Sequence, residues 1–206
     1  MKRLIIAFIL VSLTTACNKY SGRFYSTSDS PYPDTYESPG EVAFGPLAAH
    51  DRKQYLIEQQ ALINSKLQER GITTKIEAET LIVNIPGNIA FDVNSARLNW
   101  NVHDILDRIT PTLKEYKYTS ILVLGHSDGK GDRDVNQLLS EQRARLIRGY
   151  FVNSGLDVNR ITSRGVGGDD LLVTDELTTQ DRSLNRRITL EIKIDDSLVE
   201  KKDSNK

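Results

Sequence analysis

Four polar side chains with the chemistry to hold a charged ligand stand in one short stretch, residues 121–143: Ser127, Asp128, Asn136 and Arg143. An apolar β run, Ile121–Leu124, ends in Gly125-His126-Ser127-Asp128-Gly129, and a helical pattern starts near Asp134. A loop hung between a strand and a helix presents such groups on rigid supports. Counted from Asn136 at about 100° per residue, Leu139, Leu146, Ile147, Tyr150 and Phe151 share one side of the helix, and Asn136 and Arg143 fall inside that arc. A guanidinium on an apolar face needs an anion, because an unpaired charge there is costly. The anion is either an acid of the same fold, met where the long side chain reaches the rim, or a group carried by a ligand.

Other chemistries fit less well. Gly125-His126-Ser127-Asp128-Gly129 also reads as G-x-S-x-G, the nucleophile elbow of serine hydrolases, and it follows a strand as that motif requires. That fold needs its histidine after the serine, yet His50 and His103 come earlier and none lies beyond His126. Asp92 and Asp128 would be the candidate pair for sugar-bond hydrolysis, but the sequence gives no sign of an extended sugar cleft. Cys17 is the single cysteine and the three histidines lack ligand spacing, so neither a metal site nor a cofactor is expected. Formal charge is −1; beyond residue 16 there are 25 basic and 28 acidic side chains, which argues against nucleic acid as a partner. No enzymatic activity is expected.

The elements that must position these groups follow in order. Residues 1–16 (MKRLIIAFILVSLTTA) have a positive start, an apolar run and a small-residue end, the pattern of a secretory signal. With Cys17 next, Thr14-Thr15-Ala16-Cys17 resembles a bacterial lipoprotein signal, although Thr14 stands where leucine is usual. That resemblance implies lipidation of Cys17, and Asn18 rather than aspartate after it implies the outer membrane. Residues 17–46 are rich in Ser, Pro, Tyr and Gly and read as a linker. An amphipathic helix is expected over 47–71, stopped at Gly71; it either packs on the domain or lengthens the stalk and pairs with another copy.

The compact domain is expected over 72–194, with strands at 75–76, 81–85, 121–124, 160–164 and 188–194 and helices after 96, after 134 and over 178–185. Pro111 should kink or break the first of these helices. Strands alternating with helices after a hairpin-like start give an α/β class with a mixed sheet. Residues 195–206 form a charged tail, expected to fray.

Five blocks in order carry a family resemblance: Phe91-Asp92-Val93-Asn94-Ser95-Ala96; Gly125-His126-Ser127-Asp128; Asn136 with Leu139-Ser140-Glu141-Gln142-Arg143-Ala144; Arg160-Ile161 with Gly165-Val166-Gly167; and Asn185-Arg186-Arg187. Together they resemble the OmpA-like C-terminal domain, and the layout resembles OmpA-family outer-membrane lipoproteins, Pal-type or related. The resemblance implies a βαβαβ sandwich with helices on a mixed four-stranded sheet and non-covalent binding of peptidoglycan through a diaminopimelate end. It implies that Asp128 grips the ammonium and Arg143 the α-carboxylate, a task that suits a bidentate guanidinium. Asn136, Ser127 and Leu139 would line or brace the groove, Phe91 and Asp92 would wall it, Arg187 would reach the peptide, and Arg186 would brace the fold. Envelope proteins are possible further partners, and the alternative is a structural or secretion-apparatus lipoprotein that uses the same fold to bind protein. Two departures, the proline missing from 169–175 and Asp181 in place of glycine, concern the far rim of the groove.

Overall fold

The computed structural model describes residues 49–67, 71–92 and 95–200; the expected signal, Cys17 and the linker lie outside them. In chain order the elements are α1 (Ala49–Leu67), β1 (Thr73–Glu77), β2 (Thr80–Pro86), α2 (Gly87–Ala90), α3 (Trp100–Glu115), β3 (Thr119–His126), α4 (Arg133–Asn153), β4 (Ile161–Gly167), α5 (Thr179–Asn185), β5 (Arg187–Ile194) and α6 (Asp196–Glu200). The described residues form one mixed sheet in the order β1-β2-β5-β3-β4. Strands β3 and β4 run parallel, and the other neighbours are antiparallel. The α/β class agrees with the sequence reading, but the sheet has five strands rather than four. Residues 73–77 make a full antiparallel ladder with β2, from Thr73 opposite Asn84 to Glu77 opposite Thr80.

Strand β5 alternates apolar and polar residues, which predicts a half-buried strand. It is a central strand: Ile188, Leu190 and Ile192 are fully buried in the core, while the other face is covered at Arg187 and Thr189 and opens to water at Glu191 and Lys193. The helix over 49–67 packs on the domain. Leu56 and Ile63 are fully buried, Lys66 Nζ donates to Thr112 Oγ1 at 2.7 Å, and Tyr55 meets Tyr116 edge-on at 4.8 Å. Its first turns also pair with α6, Arg52 with Asp196; residues 196–200, expected to fray, form a short helix with Val199 buried, and residues 201–206 of that tail lie outside the described residues.

Of the kink or break expected at Pro111, the break does not occur: α3 runs through it as one helix. Pro111 is exposed, as is Asp107, whose carbonyl loses its partner, so water can replace the missing bond. At the end of α3, buried Arg160 donates to the carbonyls of Leu113, Tyr116 and Thr119 at 2.8–2.9 Å. These are the orphan acceptors of a helix terminus and of the adjoining strand.

Helix α4 lies against β3 and β4 at closer range than side chains would permit. A Cβ on Gly125 would overlap the Ser140 carbonyl oxygen, and one on Gly165 would lie 2.5 Å from the Glu141 nitrogen. The contact is stitched by polar bonds: Ser140 Oγ accepts from Gly167 N at 2.9 Å, and Glu141 Oε2 from Gly165 N at 2.7 Å. Ser140, Ala144, Ile147 and Phe151 form the buried seam, whereas Leu146, expected on the apolar side, is exposed. The seam fixes how far Arg143 projects beyond the sheet.

Candidate functional site

The loop after β3 carries Asp128. Ser127 N donates to Gly167 O at 2.7 Å, which anchors the loop to the end of β4. A Cβ on Gly168 would meet the Asp128 carbonyl at 2.8 Å, so a glycine is needed for the loop to sit this low. Asp132 caps α4 by accepting from the amides of Asp134 and Val135. Asn136 Nδ2 donates to Lys130 O at 2.7 Å and so closes the loop onto the helix. Asn136 is thus a loop brace in this structure, one of the two roles expected of it. Ser127 is buried and its hydroxyl donates to the Asp128 carbonyl at 3.1 Å, so its contribution to the site is through the backbone.

Across the groove, α2 ends in Phe91, which pairs with Leu98 and frames the 92–97 loop. Arg143 reaches this loop from α4. Its Nε and Nη2 donate to the Ser95 carbonyl at 3.0 and 2.8 Å, and its guanidinium carbon stands 4.9 Å from the centre of the Phe91 ring. The side chain is buried and, among the described residues, has no carboxylate within ion-pair distance. Burial lowers its affinity for the proton, nearby Arg186 lowers it further, and Asp128 opposes both. Its charge is therefore desolvated, held by a neutral carbonyl and an aromatic face, and incompletely neutralised.

Asp128 is already paired. Arg186 Nη1 lies 2.6 Å from Asp128 Oδ2, with side chains 34% and 15% exposed respectively. The family resemblance implies that Arg187 reaches the peptide and Arg186 braces the fold; in this structure Arg186, just before β5, is the one that stands at Asp128. Arg187 is buried, donates to Asp170 Oδ2 at 2.9 Å and to the Asp170 carbonyl, and stands away from the Asp128 groove. Asp170 also lies 3.4 Å from Nδ1 of buried His126. Burial, with Arg187 second, pushes the His126 pKa down to about 4.

Asp92 is exposed at the rim, 3.9 Å from Arg97, and Leu139 is half-buried one turn before Arg143. Three further residues contribute to the site; Ser95 and Asn185 stand in the family blocks without an assigned role, and Glu176 stands in none. Ser95 supplies the carbonyl under Arg143. Glu176 accepts from Gly129 N at 3.0 Å and ties the far rim to the Asp128 loop. Asn185, fully buried, holds the 172–176 segment by accepting from the amides of Leu172 and Val173 and donating to Val173 O and Glu176. Asn185 was visible as the head of the Asn-Arg-Arg block; the other two contacts are made by segments without periodicity. The Asp181 departure has a structural reason: it closes a capping box with Thr178 at the start of α5, and the Thr178 amide lowers its pKa.

The fold and site thus define an α/β sandwich with a groove at one end of its sheet, lined by two guanidiniums and one carboxylate. A family model described as the OmpA family matches residues 90–186. The peptidoglycan-associated lipoprotein of Mesorhizobium japonicum is 31% identical over 122 residues, covering 59% of this chain and 71% of that protein. The chain belongs to the OmpA family. The probable lipoprotein YiaD of Escherichia coli (strain K12) is 30% identical over 136 residues, 66% of this chain and 62% of that protein, so the chain spans under two thirds of its length. A crystal structure of a MotB-like protein from Desulfovibrio vulgaris shares the fold, with a TM-score of 0.60 at 17% identity over 70% of this chain and 99% of that one.

Proposed function

We propose that the chain is a cell-envelope lipoprotein that binds peptidoglycan non-covalently and ties the outer membrane to the wall. In this reading Cys17 carries the lipid, the domain faces the periplasm, and the ligand is the diaminopimelate end of a stem peptide. The observation that carries it is Arg143, a buried guanidinium that, among the described residues, has no acid of its own and stands beside an acid, Asp128, paired elsewhere. A zwitterion satisfies both groups: its α-carboxylate meets Arg143 in the bidentate geometry guanidinium favours, and its ammonium meets Asp128. Chemistry on the ligand is not required; the site holds charges.

The arrangement of the domain supports a tether. The first turns of α1, where the linker enters, pack beside Tyr118 and α6 at the Thr119 end of β3, while Asp128 follows the His126 end. Eight residues of strand separate the end beside α1 from the end that carries Asp128 by about 26 Å.

Two experiments test this reading. The folded protein without its lipid should co-sediment with diaminopimelate-type peptidoglycan, and Asp128→Ala and Arg143→Ala should stay in solution. If folded wild-type protein also stays in solution, the groove is not a peptidoglycan site. Cys17→Ala should release the full chain from membranes; unchanged fractionation would remove the lipid anchor.

A further inference from the structure

Beside the charged groove the structure leaves an aromatic ledge that the charge pairing does not use. Trp100 is the chain's single tryptophan and is 84% exposed, although it opens α3 immediately after the loop that carries Ser95. Its position is fixed rather than loose. Asn99 caps the helix through its side chain, and Asn99 N donates to the Ala90 carbonyl at 2.9 Å, beside the Phe91–Leu98 bridge that underlies Arg143. From Trp100 a row of rings crosses to the binding helix: His103 lies 6.0 Å away, and Tyr150 on α4 lies 5.1 Å beyond it. Tyr150 is two turns along α4 from Arg143, and its hydroxyl is held by Asp107 at 2.7 Å. Leu146, between them on the same flank, is 43% exposed.

An exposed indole next to a desolvated ionic site suits a particular kind of ligand. A pyranose ring presents one face of C–H groups, which carry partial positive charge and are attracted to the negative face of an aromatic ring, while its hydroxyls stay in water. Hydrogen bonding from the ring itself is not needed, which matches an indole standing open to solvent. Trp100 is two residues past Leu98, which pairs with Phe91 beneath Arg143, so the indole is carried by the same run of chain that frames the guanidinium, its Cα within about 7 Å of that of Leu98.

We propose that Trp100 is a sugar-contacting residue: with the diaminopimelate end held at Asp128 and Arg143, the amino sugar that bears the stem peptide stacks on the Trp100 indole. The inference rests on the peptide-binding reading and extends it from peptide to glycan. It makes the ledge a selector for peptide still attached to its sugar over peptide cleaved from it.

The test uses the full chain in detergent, because its only tryptophan is the reporter. Two ligands are compared by calorimetry and fluorescence: a diaminopimelate-ended stem tripeptide, and the same tripeptide on its disaccharide. The disaccharide ligand should bind about tenfold more tightly and shift the indole emission to the blue, whereas the free peptide should bind without the shift. Trp100→Ala should reduce the affinity for the disaccharide ligand to that for the free peptide and leave the latter unchanged; Trp100→Phe should restore part of the difference. Equal wild-type affinities for the two ligands, or a preference that survives in Trp100→Ala, would overturn the sugar contact while the peptide site stands. Binding of neither ligand would overturn both.

Discussion

The Arg186 guanidinium stands 2.6 Å from the Asp128 carboxylate, on the very group proposed to receive a ligand ammonium. The groove therefore holds two cations and one acid, and Arg143 is the cation without a partner acid. An incoming carboxylate can approach Arg143 without displacing an anion. An incoming ammonium must share Asp128 with Arg186, which at 34% exposure has room to swing aside. In the proposed complex, recognition would be asymmetric: the carboxylate would fill a vacant charge, and the ammonium would compete for an occupied one.

That asymmetry predicts opposite effects on binding and stability at Arg143. Replacing a desolvated, incompletely neutralised charge by an apolar side chain of similar length is often neutral or stabilising. Arg143→Met should keep or raise the melting temperature while weakening peptidoglycan binding by about 2 kcal/mol or more. Thermal unfolding together with co-sedimentation checks both. A variant that loses stability and binding in parallel would make Arg143 a structural residue.

The two adjacent arginines should separate in the same assays. Arg187→Ala leaves Asp170 without its cation and removes a buried side chain, and should destabilise the fold by about 2–4 kcal/mol. What remains folded should still bind. Arg186→Ala removes a partly exposed pair and should change stability by less than about 1 kcal/mol, yet it should alter binding because it frees Asp128. Urea midpoints beside binding of the folded fraction distinguish the two; equal destabilisation by both would contradict their different burial.

Which of the two arginines stands at Asp128 is not set by residue type. It depends on strand order, here β5 between β2 and β3. Periodicity cannot supply that order. The groups on the regular elements were legible: Arg143 and Asn136 from the helical period, Asp128 from the strand-loop-helix pattern and the family blocks. Ser95 contributes through a backbone carbonyl, which no residue type announces. The reach of α3 past Pro111 depended on which side of the helix faces water. The fifth strand was visible as a segment but not counted, because residues 73–77 offer one apolar side chain, Ile76, to set against the four of β2.

His126 predicts an acid limit to stability. Its pKa in the folded protein is about 4, below the ordinary value of 6.5, because burial and Arg187 disfavour the charged imidazole. As pH falls, the unfolded chain takes up the proton first. The contribution of neutral His126 is therefore complete above about pH 6.5, declines as pH falls, and ends near pH 4, where the folded protein is protonated too. The difference is on the order of 3 kcal/mol. Urea unfolding near pH 7 and near pH 4.5 should give a smaller loss for His126→Gln than for wild type. Equal losses would show that the imidazole is solvated.

The β1–β2 turn carries strain that two substitutions should relieve. Ala78 and Glu79 both have positive φ, 43° and 61°, in a two-residue connection between the paired Glu77 and Thr80. This turn favours Asn or Asp followed by Gly, since only such residues enter the left-handed region readily. Ordinary residues there cost about 1–2 kcal/mol each. The hairpin lies on the sheet edge opposite β4, and its turn falls beside the end of β5, near Lys193, whereas the Asp128 site adjoins the other end of β5, at Arg186. Ala78→Asn with Glu79→Gly should therefore raise stability by about 1–2 kcal/mol and leave peptidoglycan binding unchanged. Glu79→Val, which places a β-branched side chain at positive φ, should lower stability instead. Unfolding free energies for the two variants provide the check, and a wild-type turn more stable than the Asn-Gly turn would mean that the left-handed pair is held by contacts outside the hairpin.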